Sequence, residues 1–312
     1  MTNVKTYLMS GAGNKFVVLD GRGNDMGEFR SKERIGALCA EYRTDGLMIL
    51  DSGLAAQQTS SGKPHAQEYD FRMEFYNPDG SGGMMCGNGG RCIVAFADWL
   101  GITPLEPGNY NFLAPDGPHS AEILARPEER DTTKANSTEI LARPGEEDER
   151  WTVRLKMIDV DGIRPVLGGY FLNTGTRHFV KFVEDVEAVD VEKDGKELRW
   201  NEAFAPEGAN INFVQVCDGL LKVRTFEKGV EGETLACGTG ITASAIAAWF
   251  EKNSIGPCPE KRGQVPVFPA DEGNCANIRL QARSGDNLSV DFIQTAPESF
   301  REIHLTGPAE LL

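Results

Sequence analysis

Two stretches of this 312-residue chain are written alike, and that repeat constrains the fold more than any other feature. In the first, Phe75-Tyr76-Asn77 is followed nine positions after Asn77 by Cys86-Gly87-Asn88-Gly89, then by an apolar run ending near Trp99. In the second, Thr225-Phe226-Glu227 is followed ten positions after Glu227 by Cys237-Gly238-Thr239-Gly240, then by an apolar run through Trp249. Upstream there is an echo: Gly13-Asn14-Lys15-Phe16-Val17 resembles Gly175-Thr176-Arg177-His178-Phe179-Val180 with one residue inserted, 73 and 62 positions before the respective cysteines. Three matches in one order argue for two similar lobes, each bringing one Cys-Gly-X-Gly to a shared interface. Small-molecule sites favour such interfaces.

Strand-like runs fall at 15–20, 46–51, 69–76, 152–158, 179–183, 211–216 and 220–226. Residues 89–100 and 240–251 are Ala-rich and apolar on nearly all sides, the pattern of a helix buried inside a wrapped sheet. Each lobe therefore reads as strands around one helix, an α+β arrangement. Residues 115–150 form a charged, Pro-containing stretch in which Glu122-Ile123-Leu124-Ala125-Arg126-Pro127 recurs as Glu139-Ile140-Leu141-Ala142-Arg143-Pro144, and it reads as a solvated surface insertion. Residues 256–277 read as a second loop-rich stretch before the final strands.

With 32 Lys and Arg against 47 Asp and Glu the formal net charge is -15, which disfavours nucleic acid and anionic membranes as partners. The longest apolar runs fall well short of the roughly 20 residues that cross a bilayer. The first ten residues lack the charged-then-apolar pattern of a secretory signal, so a cytoplasmic location and reduced thiols are expected for the seven cysteines.

A cysteine followed by glycines at the start of a buried helix sits beside unpaired amide N–H groups that favour negative charge on sulfur. The same amides bind carboxylates, and the glycines let a ligand approach the backbone. Two such turns facing one another suit inversion at a stereocentre, with one thiolate removing the proton next to a carboxylate and the opposite thiol returning one. Charge building on the carboxylate would be stabilised by the amides. Taken alone, Cys-Gly-Asn-Gly is an ordinary turn sequence; the duplication is what singles it out. Cys92 on the apolar helix reads as core, and Cys39, Cys217, Cys258 and Cys275 as structural.

The chain resembles the diaminopimelate epimerase family, through Gly11-Ala12-Gly13-Asn14, Asn77-Pro78-Asp79-Gly80, Cys86-Gly87-Asn88-Gly89-Gly90-Arg91-Cys92, Gly208-Ala209-Asn210-Ile211, Phe226-Glu227-Lys228-Gly229 and Glu233-Thr234-Leu235-Ala236-Cys237-Gly238-Thr239-Gly240. The resemblance covers most of the chain outside 115–150 and 256–277. It implies an α+β fold of two pseudo-symmetric lobes, each a mostly antiparallel sheet around a central buried helix, with the active site between them. Residues 1–118 would form the lobe of Cys86, to which 301–312 return, and 119–300 the lobe of Cys237.

The resemblance further implies interconversion of LL- and meso-2,6-diaminopimelate for lysine and peptidoglycan precursors, with no pyridoxal phosphate, no other cofactor and no metal. The partner is then the small amino-acid substrate, and a homodimer is the assembly entertained. Cys86 and Cys237 match the acid and base pair, and Gly87, Asn88, Gly238 and Thr239 the backbone cradle for the reacting carboxylate. Asn14, Asn77, Thr176, Asn210 and Lys228 fall at substrate-binding positions, and His178 and Glu227 border the reacting amino group and the sulfurs.

The departures lie in the pocket. Relatives typically carry Gly-Asn-Pro-His where this chain has Gly175-Thr176-Arg177-His178, and Glu-Arg-Gly where it has Glu227-Lys228-Gly229. Lysine keeps the charge but not the two-pronged grip of arginine, and Arg177 is the residue that could supply the missing guanidinium. The competing readings are a related thiol-based racemase of another amino acid, a redox or metal-binding cysteine protein, and a non-catalytic binding protein. The Cys86-to-Cys92 spacing fits neither a Cys-x-x-Cys redox motif nor a common zinc knuckle.

Overall fold

The structure, a computed structural model, describes residues 4–57, 65–82, 85–127, 150–217, 219–254 and 275–312. The chain divides into two compact units, Met1–Arg154 with Pro308–Leu312, and Leu155–Gly307.

The first unit opens with a hairpin, β1 (Thr6–Gly11) against β2 (Asn14–Asp20). Its two-residue turn puts Ala12 at φ 52° and Gly13 at φ 89°, left-handed geometry that glycine adopts without strain. Helix α1 (Lys32–Tyr42), capped by the Ser31 hydroxyl on the Arg34 N–H, carries the chain over to β3 (Gly46–Gln57), parallel to β2. Antiparallel β4 (His65–Tyr76) follows, then α2 (Gly87–Trp99), then β5 (Asn109–Ala114) parallel to β4, then antiparallel β6 (Gly117–Ala125). Strand β7 (Trp151–Lys156) leads out of the unit.

In the second unit, short β8 (Val160–Asp161) and β9 (Ile163–Val166) precede β10 (Gly169–Asn173) and β11 (Arg177–Val183), an antiparallel pair. Helix α3 (Val191–Arg199) crosses to β12 (Asn210–Cys217), parallel to β11, and β13 (Leu220–Glu227) returns antiparallel. After β14 (Gly232–Thr234), α4 (Gly238–Ser254) crosses to β15 (Cys275–Gln281), parallel to β13, and antiparallel β16 (Asn287–Ala296) follows. Hairpin, parallel crossover, antiparallel return, second parallel crossover, antiparallel return: both units spell the same sequence of pairings. Strand β17 (Ser299–Leu311) pairs with β16 and ends beside β1, Met9 opposite Leu311.

The two apolar segments are the central helices. Every residue of α2 from Gly87 to Ala97 is buried, against β1, β2, β3 and β6. Helix α4 touches β10, β11, β12, β13, β15 and β16, so strands surround it and no polar face is required. Its buried hydroxyls are satisfied internally, Thr242 donating to the Gly238 carbonyl at 3.0 Å and Ser244 to that of Gly240 at 2.7 Å.

The expected surface insertion is corrected in its first part. Residues 117–125 form β6, with Ala121 buried, so the chain stays in the first unit beyond 118. Arg126 then pairs with Asp98 of α2 at 2.8 Å, and Asp98 also accepts from the Trp151 indole at 3.0 Å. The second copy of the duplicated hexapeptide, 139–144, lies outside the described residues, as does Cys258. Of the second expected loop, 275–277 already belong to β15. No helix of the described residues is long and apolar enough to cross a membrane.

Candidate active site

In the first unit Cys86 is the N-cap of α2, with extended backbone (φ -87°, ψ 129°) and its carbonyl accepting from the Gly90 N–H at 2.7 Å. Its side chain is half-buried, and the amides of Gly87 and Asn88 begin the helix beside it. The buried Asn88 side chain donates to Asn14 Oδ1 at 2.6 Å, and Asn14 donates in turn to Asp45 Oδ2 at 3.2 Å. Asp45 also accepts from the Lys15 N–H at 2.8 Å. On the other side Asn88 Oδ1 accepts from Arg91 at 2.9 Å, and Arg91, fully buried, also reaches the carbonyls of Gly87 and Pro308 at 3.4 Å. Asn14 and Asn88 are thus brought together and hold each other's orientation.

Asn77 is not joined to that pair. It lies exposed in the turn after β4, where its amide donates to Ser81 Oγ at 3.0 Å and its N–H to the Ser81 carbonyl at 2.7 Å. Cys92 and Cys39 are core residues whose thiols burial pushes up. Cys217 is half-buried and Cys275 exposed, so neither is a core residue.

In the second unit Cys237 is buried immediately before α4, its carbonyl accepting from the Ile241 N–H at 2.8 Å. Its Sγ lies 3.4 Å from the Thr239 hydroxyl. Thr239 Oγ1 is 2.9 Å from His178 Nε2 and 3.1 Å from Thr176 Oγ1, while Thr176 Oγ1 is 2.8 Å from the same His178 nitrogen. Asn210 Nδ2 reaches Thr176 Oγ1 at 3.2 Å, and Asn210 Oδ1 accepts from the Lys228 N–H at 2.7 Å. Thr174 Oγ1 donates to the Thr239 carbonyl at 2.9 Å, fixing the first turn of the helix. Five of the expected residues, Thr176, His178, Asn210, Cys237 and Thr239, therefore form one bonded cluster with Gly238 inside the turn.

His178 has no exposed surface, and burial pushes its pKa down to about 3 against a smaller opposing contribution from Asn212, so the ring is neutral at physiological pH. Glu227 ends β13, half-buried, and the Lys228 side chain is exposed. The Arg177 guanidinium is 3.2 Å from Glu207 and lies over the Phe171 ring. Asp45, Thr174 and Asn212 belong to these clusters without any sequence signal. Arg91 carries one, since it stands three and four residues after Asn88 and Gly87 on a helix and so shares their face. Among the described residues no group of three or more His, Cys, Asp or Glu is arranged to hold a metal ion.

Each unit thus presents a cysteine at the start of a buried, glycine-led helix, where sulfur can exchange a proton and amides can hold a carboxylate. The sequence pattern of the family described as diaminopimelate epimerase matches residues 170–258. A diaminopimelate epimerase of Aquifex aeolicus is 37% identical over 96% of this chain and 93% of its own length, and one of Chlorobaculum tepidum is 34% identical over 96% of each. Among solved structures, a Bacillus anthracis phenazine biosynthesis protein of the PhzF family superposes with a TM-score of 0.64 at 11% identity, covering 100% of this chain and 98% of that one. A hydroxyproline epimerase from Agrobacterium vitis does so at 0.56 and 14%, covering 99% and 90%. Those likenesses establish the α+β fold, and the sequence relatives, matched over nearly their whole length, establish that this chain belongs to the diaminopimelate epimerase family.

Proposed function

We propose that the chain is an isomerase that interconverts LL- and meso-2,6-diaminopimelate by two-base proton transfer between Cys86 and Cys237. The observation that carries this reading is the placement of a cysteine directly before each of the two buried central helices, α2 and α4. In one direction one sulfur starts as thiolate and removes the α-proton, and the other starts as thiol and protonates the opposite face; in the reverse direction the states exchange. The electron pair left on the α-carbon delocalises into the substrate carboxylate, whose growing charge the amides at Gly87, Asn88, Gly238 and Thr239 would stabilise.

Asn14, Asn77, Thr176, Asn210, Glu227 and Lys228 are proposed to bind the rest of the substrate, with His178 and Glu227 supporting the proton transfers. No cofactor has a part in this scheme. A cytoplasmic location and a homodimeric assembly go with the reading. Purified protein, treated with chelator and free of pyridoxal absorbance, is incubated with LL-diaminopimelate in deuterated water beside ten common amino acids. Formation of the meso isomer with deuterium at the α-carbon is the expected result. Turnover of another amino acid in preference to diaminopimelate would transfer the same chemistry to a different substrate, and loss of activity on metal removal, restored by zinc, would overturn the two-thiol scheme.

A further inference from the structure

Asn212, in β12, lies under the Cys237 turn and determines where the protons around it point. Its amide is within reach of two groups on β11: Nδ2 is 3.1 Å from the Phe179 carbonyl and 3.0 Å from His178 Nδ1, while Oδ1 accepts from the Thr225 hydroxyl at 3.0 Å. A backbone carbonyl can only accept, so the atom facing Phe179 must be the amide nitrogen. The same nitrogen then donates to His178 Nδ1, which is therefore unprotonated. Because the ring is neutral, its single N–H is on Nε2.

The same reasoning fixes Asn210. A backbone N–H can only donate, so the atom 2.7 Å from the Lys228 nitrogen is Oδ1, and Nδ2 donates to the Arg177 carbonyl at 3.3 Å and to Thr176 Oγ1 at 3.2 Å. Around the two threonines, His178 Nε2–H and Asn210 Nδ2–H are both donors. Within the cluster the Thr176 hydrogen has one acceptor, Thr239 Oγ1 at 3.1 Å, and the Thr239 hydrogen is then directed to Cys237 Sγ at 3.4 Å. The alternative, Thr239 donating to Thr176, leaves the Thr176 hydrogen with no acceptor inside the cluster. The other tautomer of His178 would present a lone pair at Nε2, 2.8 and 2.9 Å from the two hydroxyls, and compete with sulfur for the Thr239 hydrogen. Gly240 makes room for the arrangement, since a Cβ there would collide with Asn212 Oδ1 and crowd Cys237 Cβ.

We propose that Asn212 is a positioning residue for Cys237: by holding His178 as the Nε2–H tautomer it commits the Thr239 hydroxyl to donate to the Cys237 sulfur. A donated hydrogen bond stabilises thiolate over thiol, so Asn212 sets the readiness of Cys237 as a base without touching sulfur or substrate. The catalytic meaning rests on Cys237 being a proton-transferring group; the readouts below need no turnover, so failure of the proposed reaction and failure of this inference are separately visible.

The four histidines of the chain make ring-nitrogen NMR of 15N-histidine-labelled protein tractable, with His178 assigned by its absence in His178→Gln. Wild-type His178 is expected as Nε2–H with Nδ1 unprotonated, and an Nδ1–H ring overturns the inference without any variant having to fold. Asn212→Leu keeps the branched outline and heavy-atom count of the side chain and removes the donor, and Thr239→Val replaces the hydroxyl by a methyl group. In each, the pH midpoint for iodoacetamide alkylation of Cys237, followed by peptide mapping, rises by about one pH unit, the worth of one hydrogen bond to a charged group. The double variant rises by about one unit as well, because both substitutions remove the same bond. An unchanged midpoint in Asn212→Leu, or a double variant in which the two rises add, overturns the proposal.

Discussion

Gly11, the last residue of β1, packs against the first turn of α2 so closely that its missing side chain becomes a test of how finely the Cys86 turn is positioned. A Cβ at Gly11 would lie 2.8 Å from the Asn88 carbonyl oxygen and 2.9 Å from Cys92 Sγ, where ordinary contacts begin near 3.4 Å. Neither atom can swing aside, since one is backbone and the other belongs to a fully buried residue. Strand and helix must part by about half an ångström, and overpacking of that kind costs about 1–3 kcal/mol of stability. The backbone at Gly11 is outside the left-handed region, so the cost is steric rather than conformational.

The displacement falls on Asn88, whose amide group is tied to Asn14 at 2.6 Å, and on the helix start beside Cys86. If a misplacement of about 1 Å costs about a hundredfold, half of it costs about tenfold in kcat/KM. The control is Gly162→Ala: Gly162 has φ 91° and no atom within 4 Å of a built Cβ, so alanine there strains the backbone by about 1–2 kcal/mol and leaves the Cys86 turn alone. Urea unfolding and steady-state epimerisation are measured on both. Comparable stability losses with activity falling only in Gly11→Ala are expected. A Gly11→Ala enzyme within twofold of wild type in kcat/KM would refute the claim that the contact positions the turn.

Cys86→Ala and Cys237→Ala should each abolish epimerisation in both directions, yet retain solvent exchange of the α-proton of opposite stereoisomers; equal residual epimerisation by both would mean the acid and base are misassigned. His178 titrates near 3 in the folded chain but near 6.5 when unfolded, so below pH 6.5 the unfolded chain binds the extra proton and stability falls as pH drops toward 3, by up to about 1.4 kcal/mol per unit from this group. Urea midpoints at pH 7, 5 and 4 should fall more steeply for wild type than for His178→Gln, and parallel slopes would contradict the neutral buried ring. Lys228→Ala should raise KM for diaminopimelate more than it lowers kcat, whereas a substrate with an uncharged distal end turned over as fast would remove Lys228 from distal recognition.

The repeat was legible because the two units share a strand and helix order, and each Cys-Gly-X-Gly falls at the same step of it. Helices α2 and α4 announced themselves by being apolar on nearly all sides, the mark of a helix enclosed by its surroundings. Helix α1 did not, since just Ile35, Leu38 and Cys39 are buried in it, and α3 is mostly charged. Strand β6 was hidden because its residues after Ala121 are mainly exposed and read as solvated chain. At the site the cysteines were visible through duplication, but Asp45, Thr174 and Asn212 are single polar residues whose meaning comes from what lies across the sheet or under the helix. Arg177 is a similar case: its sequence position gave no sign of the Glu207 and Phe171 contacts that its guanidinium makes.

The return of residues 308–312 to the first unit bears on how the protein is made. Leu311 pairs with Met9, Glu310 with Ser10, and the Pro308 carbonyl receives the buried Arg91 of α2. None of these partners exists while the ribosome is still translating the second unit, which spans Leu155–Gly307. At about 5–20 residues per second the first unit waits roughly 8–30 s with β1 open along that edge and Arg91 short of one acceptor. An open strand edge is a template on which a neighbouring nascent chain can pair. The unit translated first thus cannot complete its own pairing until the second has been made, and loss of residues 308–312 would be felt at β1 and α2, in the amino-terminal part of the chain.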